Sequence, residues 1–126
     1  MTINELITEV DDLKGNQFGD AQKIKWINEV EGRILEEILK KRELDEGMEL
    51  PEFVEYDENT NMDTELLVPA PYTDLYKYYL FSMIDLNNEE YDRYQNTAVL
   101  FNNSYQQFAN YWYRTHKANG IRNYLH

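Results

Sequence analysis

Apolar positions repeat with a helical period over most of the chain. In the longest regular stretch, residues 88–116, steps of three and four residues place seven apolar or aromatic side chains on one stripe, and neither glycine nor proline interrupts it. The seven are Tyr91, Tyr94, Ala98, Phe101, Tyr105, Phe108 and Trp112. At about 1.5 Å per residue this pattern predicts a helix of about 40 Å, longer than a small domain needs to cover its own core. We therefore expect part of this helix to pack on another chain.

A second stripe on the same predicted helix consists of carboxamide side chains. Its members are Asn96, Asn102, Asn103, Gln106, Gln107 and Asn110. A solvated helix face normally carries Glu and Lys, so a neutral amide face indicates contact with another protein surface. We predict that these six residues form a subunit interface.

Two further helices are predicted in residues 1–45. Thr2 and Glu5 form a capping-box pattern at the start of the first helix, which Gly15 ends. Asp20 is predicted to cap the second helix, which should end before Gly47. The inner stripe of the second helix is predicted to consist of Ile24, Ile27, Val30, Ile34 and Ile38.

The middle of the chain has a different character. Residues 53–56 and 65–68 are short β-prone runs separated by a turn-rich acidic segment, and they predict a small β-hairpin within residues 50–70. Pro69 and Pro71 stop the second run, and a third helix is predicted from about Thr73 to Leu86. A tight turn then leads from the third helix into the long helix. Residues 71–116 are therefore predicted to form an antiparallel pair of helices.

These elements predict a single, mainly α domain spanning residues 1–126. It is expected to be a small four-helix bundle with a short β-hairpin between helices 2 and 3. The long carboxyl-terminal helix is followed by a tail, residues 117–126, for which the ordinary interpretation is fraying of a chain end.

Composition limits the possible functions. The chain has 126 residues, no cysteine and a net charge of −12, and its apolar runs are too short to cross a membrane. Between Glu43 and Glu65 there are ten acidic residues and no basic one, whereas a sequence-reading DNA binder needs Lys and Arg on its surface. These features predict a soluble, intracellular, acidic protein with no membrane partner.

Candidate chemistry is sparse. His116 and His126 lie ten residues apart with no cysteine or close carboxylate beside them, so we interpret both as solvent-exposed polar residues rather than as metal ligands or general bases. A glycine-rich phosphate loop is absent. We predict no enzymatic activity, no metal and no cofactor.

One carboxylate cluster leaves an alternative open. Glu89, Glu90 and Asp92 have the spacing found in some all-helical, magnesium-dependent nucleotide hydrolases, which also need a second acidic pair on a facing helix. Glu36 and Glu37 are the candidates for that pair. The simpler interpretation is that the first cluster favours the helix dipole and that the second pairs with Lys40 and Lys41 one turn later.

Several segments resemble the head-tail connector proteins of long-tailed phages and prophages of Gram-positive bacteria. The similarity covers most of the chain and is strongest in residues 66–116. The segments that carry it are residues 66–72 (LLVPAPY), 74–76 (DLY), 84–85 (ID), 90–96 (EYDRYQN), 108–109 (FA) and 113–116 (YRTH). They are structural positions of the family and not a catalytic signature.

The resemblance implies a structural protein of the virion. Members of this family form a ring, usually of about twelve copies, that docks beneath the portal after DNA packaging and receives a stopper or tail-completion protein at its other end. It implies assembly in the host cytoplasm, a final location in the virion neck, and DNA that passes through without sequence-specific binding. It also implies that the carboxyl-terminal segment reaches onto the portal. In this chain that portal-binding tail would contain Lys117, Ile121, Arg122, Tyr124 and Leu125.

A function of another class also fits the charge distribution. The acid-only run from Glu43 to Glu65 is compatible with an acidic protein that imitates DNA and inhibits a host DNA-binding enzyme.

Overall fold

Four α-helices make up most of the computed structural model, which describes residues 1–43, 49–50 and 52–116. They are α1 (Ile3–Leu13), α2 (Asp20–Glu37), α3 (Asp74–Asn87) and α4 (Tyr91–Thr115), and a short 3-10 helix, Leu39–Lys41, follows α2. The prediction of a mainly α fold is confirmed. Within the described ranges, no helix combines the length and apolar character that a membrane span requires.

The first helix begins where the sequence places it, and the second begins one residue earlier than predicted. The backbone N–H of Glu5 donates to the Thr2 hydroxyl at 3.1 Å, and the backbone N–H of Thr2 donates to the Glu5 carboxylate at 3.2 Å, which confirms the capping box. The prediction for Asp20 is wrong by one position. Gly19 is the N-cap of α2 and makes no side-chain cap, while Asp20 is the first helical residue.

Every helix contributes to one continuous hydrophobic core. On α2 the predicted inner stripe is buried, and Trp26 and Leu35 widen it. On α3 and α4 the fully or nearly buried apolar residues include Tyr76, Leu80 and Phe108. Aliphatic and aromatic side chains at these levels of burial contribute about 1.5 to 3 kcal/mol each through removal of apolar surface from water.

The predicted β-hairpin is wrong. Among the described residues there is no β-strand, and an isolated antiparallel bridge joins Thr2 to Glu65. Residues 62–66 run beside the amino terminus, where the carbonyls of Met62 and Thr64 accept the N–H groups of Asn4 and Ile3 at 2.9 and 3.1 Å. These carbonyls satisfy donors that a helix start leaves without partners. The second β-prone run contacts the amino terminus instead of the first run, since Glu65 bridges Thr2 and the Leu66 N–H donates to the Met1 carbonyl at 2.9 Å.

The first β-prone run packs on α2. The Asn28 side chain accepts the Tyr56 backbone N–H at 2.8 Å and donates to the Tyr56 carbonyl at 2.9 Å. One carboxamide therefore occupies both backbone groups that a partner strand would use. This explains why these β-prone residues pack along a helix and form no strand.

Helices α3 and α4 form the predicted antiparallel pair. The turn between them contains Glu89 in a left-handed backbone conformation with φ of 58°, and the Glu90 N–H donates to the Asp85 carbonyl at 2.9 Å. Consequently α4 begins at Tyr91, three residues later than predicted, and Tyr91 is exposed instead of contributing to the core.

Candidate functional site

The candidate site is the outer face of α4, and its position is set by contacts at both ends of the helix. Near its start, the Thr97 hydroxyl donates to Asp85 Oδ2 at 3.0 Å, and the fully buried Asp85 forms an ion pair with Lys14 at 2.7 Å. A buried ion pair with an added hydrogen bond requires a defined geometry, because a buried charge without its partner is strongly destabilising. Together these contacts fix the start of α4 against α3 and α1.

The carboxyl-terminal half of α4 is held by the end of α2. The Tyr105 hydroxyl donates to Glu37 Oε2 at 2.6 Å, and the Tyr113 hydroxyl donates to the Glu37 carbonyl at 2.7 Å. The Arg33 guanidinium lies 4.9 Å from the Tyr105 ring centroid. The hydrogen bond from Tyr105 is the main cause that lowers the pKa of the Glu37 carboxyl.

The inner face of α4 is only partly the stripe that the sequence predicts. Phe101, Phe108 and Trp112 are buried with Ala109, whereas Tyr105 is half-buried. The predicted stripe is therefore core over its second half. Its first half is more exposed, and it leaves apolar surface near the start of α4 open to solvent.

All six predicted amide residues lie on the exposed side of α4. Gln106 donates to Asn110 at 2.8 Å, one helical turn away. Within the part of the chain that the structure describes, the side chains of Asn96, Asn102 and Asn103 make no hydrogen bond with another residue. This face therefore carries many donors and acceptors that only solvent or another molecule can use.

Two aliphatic residues that sequence reasoning missed lie among these amides. Val99 is 56% exposed and Leu100 is 44% exposed, and both are one helical turn from Asn96 and from Asn103. No charged residue occurs between Arg93 and Arg114, although 29% of the whole chain is charged. The outer face of α4 is thus neutral and partly apolar on an otherwise acidic molecule. The charge gap could have been read from the sequence.

The histidine prediction is wrong for the residue that can be placed. His116 is 8% exposed, and its ring stacks on Trp112 with centroids 3.7 Å apart. It follows Trp112 by four residues, so the two rings lie on the same face at the end of α4. His126 lies outside the described residues, as do all members of the predicted portal-binding tail, Lys117, Ile121, Arg122, Tyr124 and Leu125.

The structure does not bring the two acidic clusters together. Glu37 contacts Tyr105, and at about 1.5 Å per residue roughly 22 Å of helix separates Tyr105 from Glu90. Glu36 pairs with Lys40 at 2.5 Å, as expected for one helical turn, and Glu90 pairs with Arg93 at 3.0 Å. In the described ranges, no three acidic or histidine side chains are grouped as a metal site would require.

A buried carboxylate on α2 is the main feature that sequence reasoning missed. Glu31 is 2% exposed and accepts hydrogen bonds from the hydroxyls of Tyr56 and Tyr76 at 3.0 and 2.7 Å. It follows Ile27 by four residues and precedes Ile34 by three. This spacing places it on the apolar stripe, and that is the signal that could have identified it.

Comparison of the chain with protein-family models, with curated proteins and with solved structures finds no match.

Proposed function

We propose that this protein is a structural connector that assembles as a ring beneath a phage portal and joins the DNA-filled head to a stopper or tail protein. In this proposal the protein performs no catalysis. The observation that carries it is the outer face of α4, which is exposed, uncharged between Arg93 and Arg114, and lined by six carboxamides with Val99 and Leu100 among them.

Such a face suits contact between copies of an acidic protein. With a net charge of −12 per chain, neighbouring subunits repel each other, and an interface placed on charged surface would add close like-charge contacts. Amide side chains can donate and accept across an interface without introducing charge, and the two aliphatic residues lose apolar surface to water on contact.

The rigidity of α4 supports the same role. A ring of many copies closes only if each copy presents its contact surface at a fixed angle. The contacts of Asp85 at one end of α4 and of Glu37 at the other hold the helix to two different elements of the core. An acidic channel wall would also repel the phosphate backbone and let DNA slide through the ring.

The test is capture on portal assemblies encoded by the same genome. We expect the full chain to bind. For the double variant Val99→Glu/Leu100→Glu, the amount of captured protein should fall at least tenfold, because the variant adds two charges per interface. Leu13→Glu is the matched control, since Leu13 is an exposed aliphatic residue on α1. Equal capture of the double variant and the control would contradict the proposal.

The tail is tested separately. Deletion of residues 118–126 should leave a folded protein that no longer binds the portal, because the proposed contact is made by basic and apolar residues of this segment. Unchanged capture of the truncated chain would remove the tail from the proposal and leave the α4 interface to be judged by its own variants.

A DNA-mimicking inhibitor is the second candidate. It is favoured by the exposed side chains of Glu52, Glu55, Asp57 and Glu58, which follow one another along the segment that packs on α2. In a competition gel shift, such an inhibitor would displace DNA from host DNA-binding enzymes. Failure to displace DNA at protein concentrations above those of the DNA would eliminate this candidate.

A further inference from the structure

A cavity of about 350 Å³ lies between α2 and the segment of residues 52–67, away from the outer face of α4. Its lining consists of Glu31, Glu52, Phe53, Val54, Tyr56, Thr60, Thr64 and Leu67. Its volume is at the small end of ligand pockets, which span about 300 to 1,000 Å³, and is therefore suited to a single side chain rather than to a large cofactor. We call it the Glu31 cavity.

The carboxylate of Glu31 is fixed by three donors. Its Oε1 atom accepts from the Tyr56 hydroxyl at 3.0 Å and from the Leu67 backbone N–H at 3.2 Å, and its Oε2 atom accepts from the Tyr76 hydroxyl at 2.7 Å. The Tyr76 hydroxyl in turn accepts the Val68 N–H at 3.0 Å. A carboxylate has about four acceptor positions, so one remains available.

Glu31 differs from buried Lys23 and buried Asp85 in having no oppositely charged partner among the described residues. Buried Lys23 pairs with Asp11 at 2.7 Å, and buried Asp85 pairs with Lys14 at the same distance. Across residues 1–43, 49–50 and 52–116, no lysine, arginine or histidine forms an ion pair with Glu31. Burial without a cation raises the pKa of the Glu31 carboxyl despite its three donors.

The walls of the cavity complement a cation on an apolar stem. Phe53 and Val54 are largely exposed, and with Tyr56 and Leu67 they supply aromatic and aliphatic surface to the lining of the cavity. Glu52 adds a second carboxylate among the lining residues. A planar guanidinium can stack on an aromatic ring while it donates to a carboxylate, and its methylene stem can contact the aliphatic walls.

We propose that the Glu31 cavity binds an arginine side chain of a partner polypeptide. The guanidinium supplies the cationic partner that Glu31 lacks among the described residues, and the exposed Phe53 and Val54 cover the methylene stem of the arginine. Arginine fits better than lysine because its planar group stacks on aromatic rings and is more weakly hydrated than an ammonium group. This site is separate from the α4 face, and it does not depend on the proposed ring.

The test uses the full chain and two capped tripeptides, acetyl-Ala-Arg-Ala-amide and its citrulline analogue, which has nearly the same shape without the charge. We expect the arginine peptide to shift the NMR signals of the backbone amides of Thr64 and Leu67 in a saturable manner. The citrulline peptide should bind at least tenfold more weakly. Equal binding of the two peptides, or shifts that do not map to the cavity, would overturn the proposal.

Three variants distinguish binding in the Glu31 cavity from non-specific attraction to the acidic surface. Glu31→Gln should weaken binding of the arginine peptide at least tenfold, and Glu52→Gln, which disturbs no internal hydrogen bond of the described residues, should weaken it about threefold. Glu58→Gln removes the same charge from the same segment outside the cavity and should leave binding unchanged. Equal effects of Glu52→Gln and Glu58→Gln would show non-specific attraction to the acidic surface and would overturn the proposal. Neither portal binding nor ring formation enters this experiment, so its failure leaves the proposed function standing.

Discussion

The hydroxyl of Tyr105 on α4 donates a 2.6 Å hydrogen bond to the carboxylate of Glu37 at the end of α2. This contact joins two helices whose residues are far apart in the sequence. It also orients the half of α4 that carries Asn102, Asn103 and Gln106, so it connects the core of the molecule to the proposed interface.

Tyr105→Phe should lower the free energy of unfolding by about 1 kcal/mol at neutral pH, since a hydrogen bond to a partly exposed carboxylate is lost. The bond lowers the pKa of Glu37, so its contribution is present above the ordinary carboxyl pKa of about 4.5 and is lost as pH falls through the lower folded value. Urea unfolding at several pH values should therefore show a difference from the wild type that shrinks on acidification. Tyr111→Phe is the matched control, because the Tyr111 hydroxyl makes no hydrogen bond within the described ranges.

The buried carboxylate of Glu31 predicts the opposite pH dependence. Its pKa is raised by burial, so the folded protein binds more protons than the unfolded chain in a window that starts near 4.5 and extends upward to the folded value. The stability of the wild type relative to Glu31→Gln should therefore fall as pH rises through this window. Tyr56→Phe removes one donor to Glu31 and should extend the window to higher pH. A difference that rises with pH would contradict the description of Glu31.

Removing only one partner of the ion pair between Lys14 and Asp85 should strongly lower the free energy of unfolding. Lys14→Met leaves the fully buried Asp85 without its cation and should destabilise the fold by about 3 kcal/mol, as measured by chemical unfolding. Lys40→Met, which removes one partner of an exposed pair with Glu36, should cost less than about 0.5 kcal/mol. The double variant Lys14→Met/Asp85→Leu should recover much of the loss, and a loss equal to that of Lys14→Met would contradict this explanation.

The helices could be predicted because their signals are local. The two residues of the capping box, Thr2 and Glu5, are three positions apart, and neighbouring members of the apolar stripe of α2 are three or four positions apart. The structure has both features. The start of α4 was missed because the Asp85 carbonyl accepts the Glu90 N–H and keeps the turn open for three residues longer. That contact depends on how α3 ends and is not visible in the periodicity.

The hairpin prediction was wrong because β-propensity does not determine which segment a β-prone run pairs with. Residues 53–56 and 65–68 do not pair with each other. The Asn28 side chain hydrogen-bonds to both backbone groups of Tyr56, and Glu65 forms a bridge with Thr2 at the amino terminus. Glu31 was not singled out from the sequence, although its spacing from Ile27 and Ile34 places it on the apolar stripe of α2. The amide face of α4 is exposed as its pattern indicates, and its role as a subunit interface stays a prediction.

Electron microscopy of the protein assembled with the portal encoded by the same genome is the decisive experiment for the proposed connector role. We expect a ring in which Asn103, Val99 and Leu100 of each copy lie at the contact with a neighbouring copy, with no bound nucleotide or metal on α4. A ring in which this face is bathed in solvent, or a metal or nucleotide held there, would contradict it.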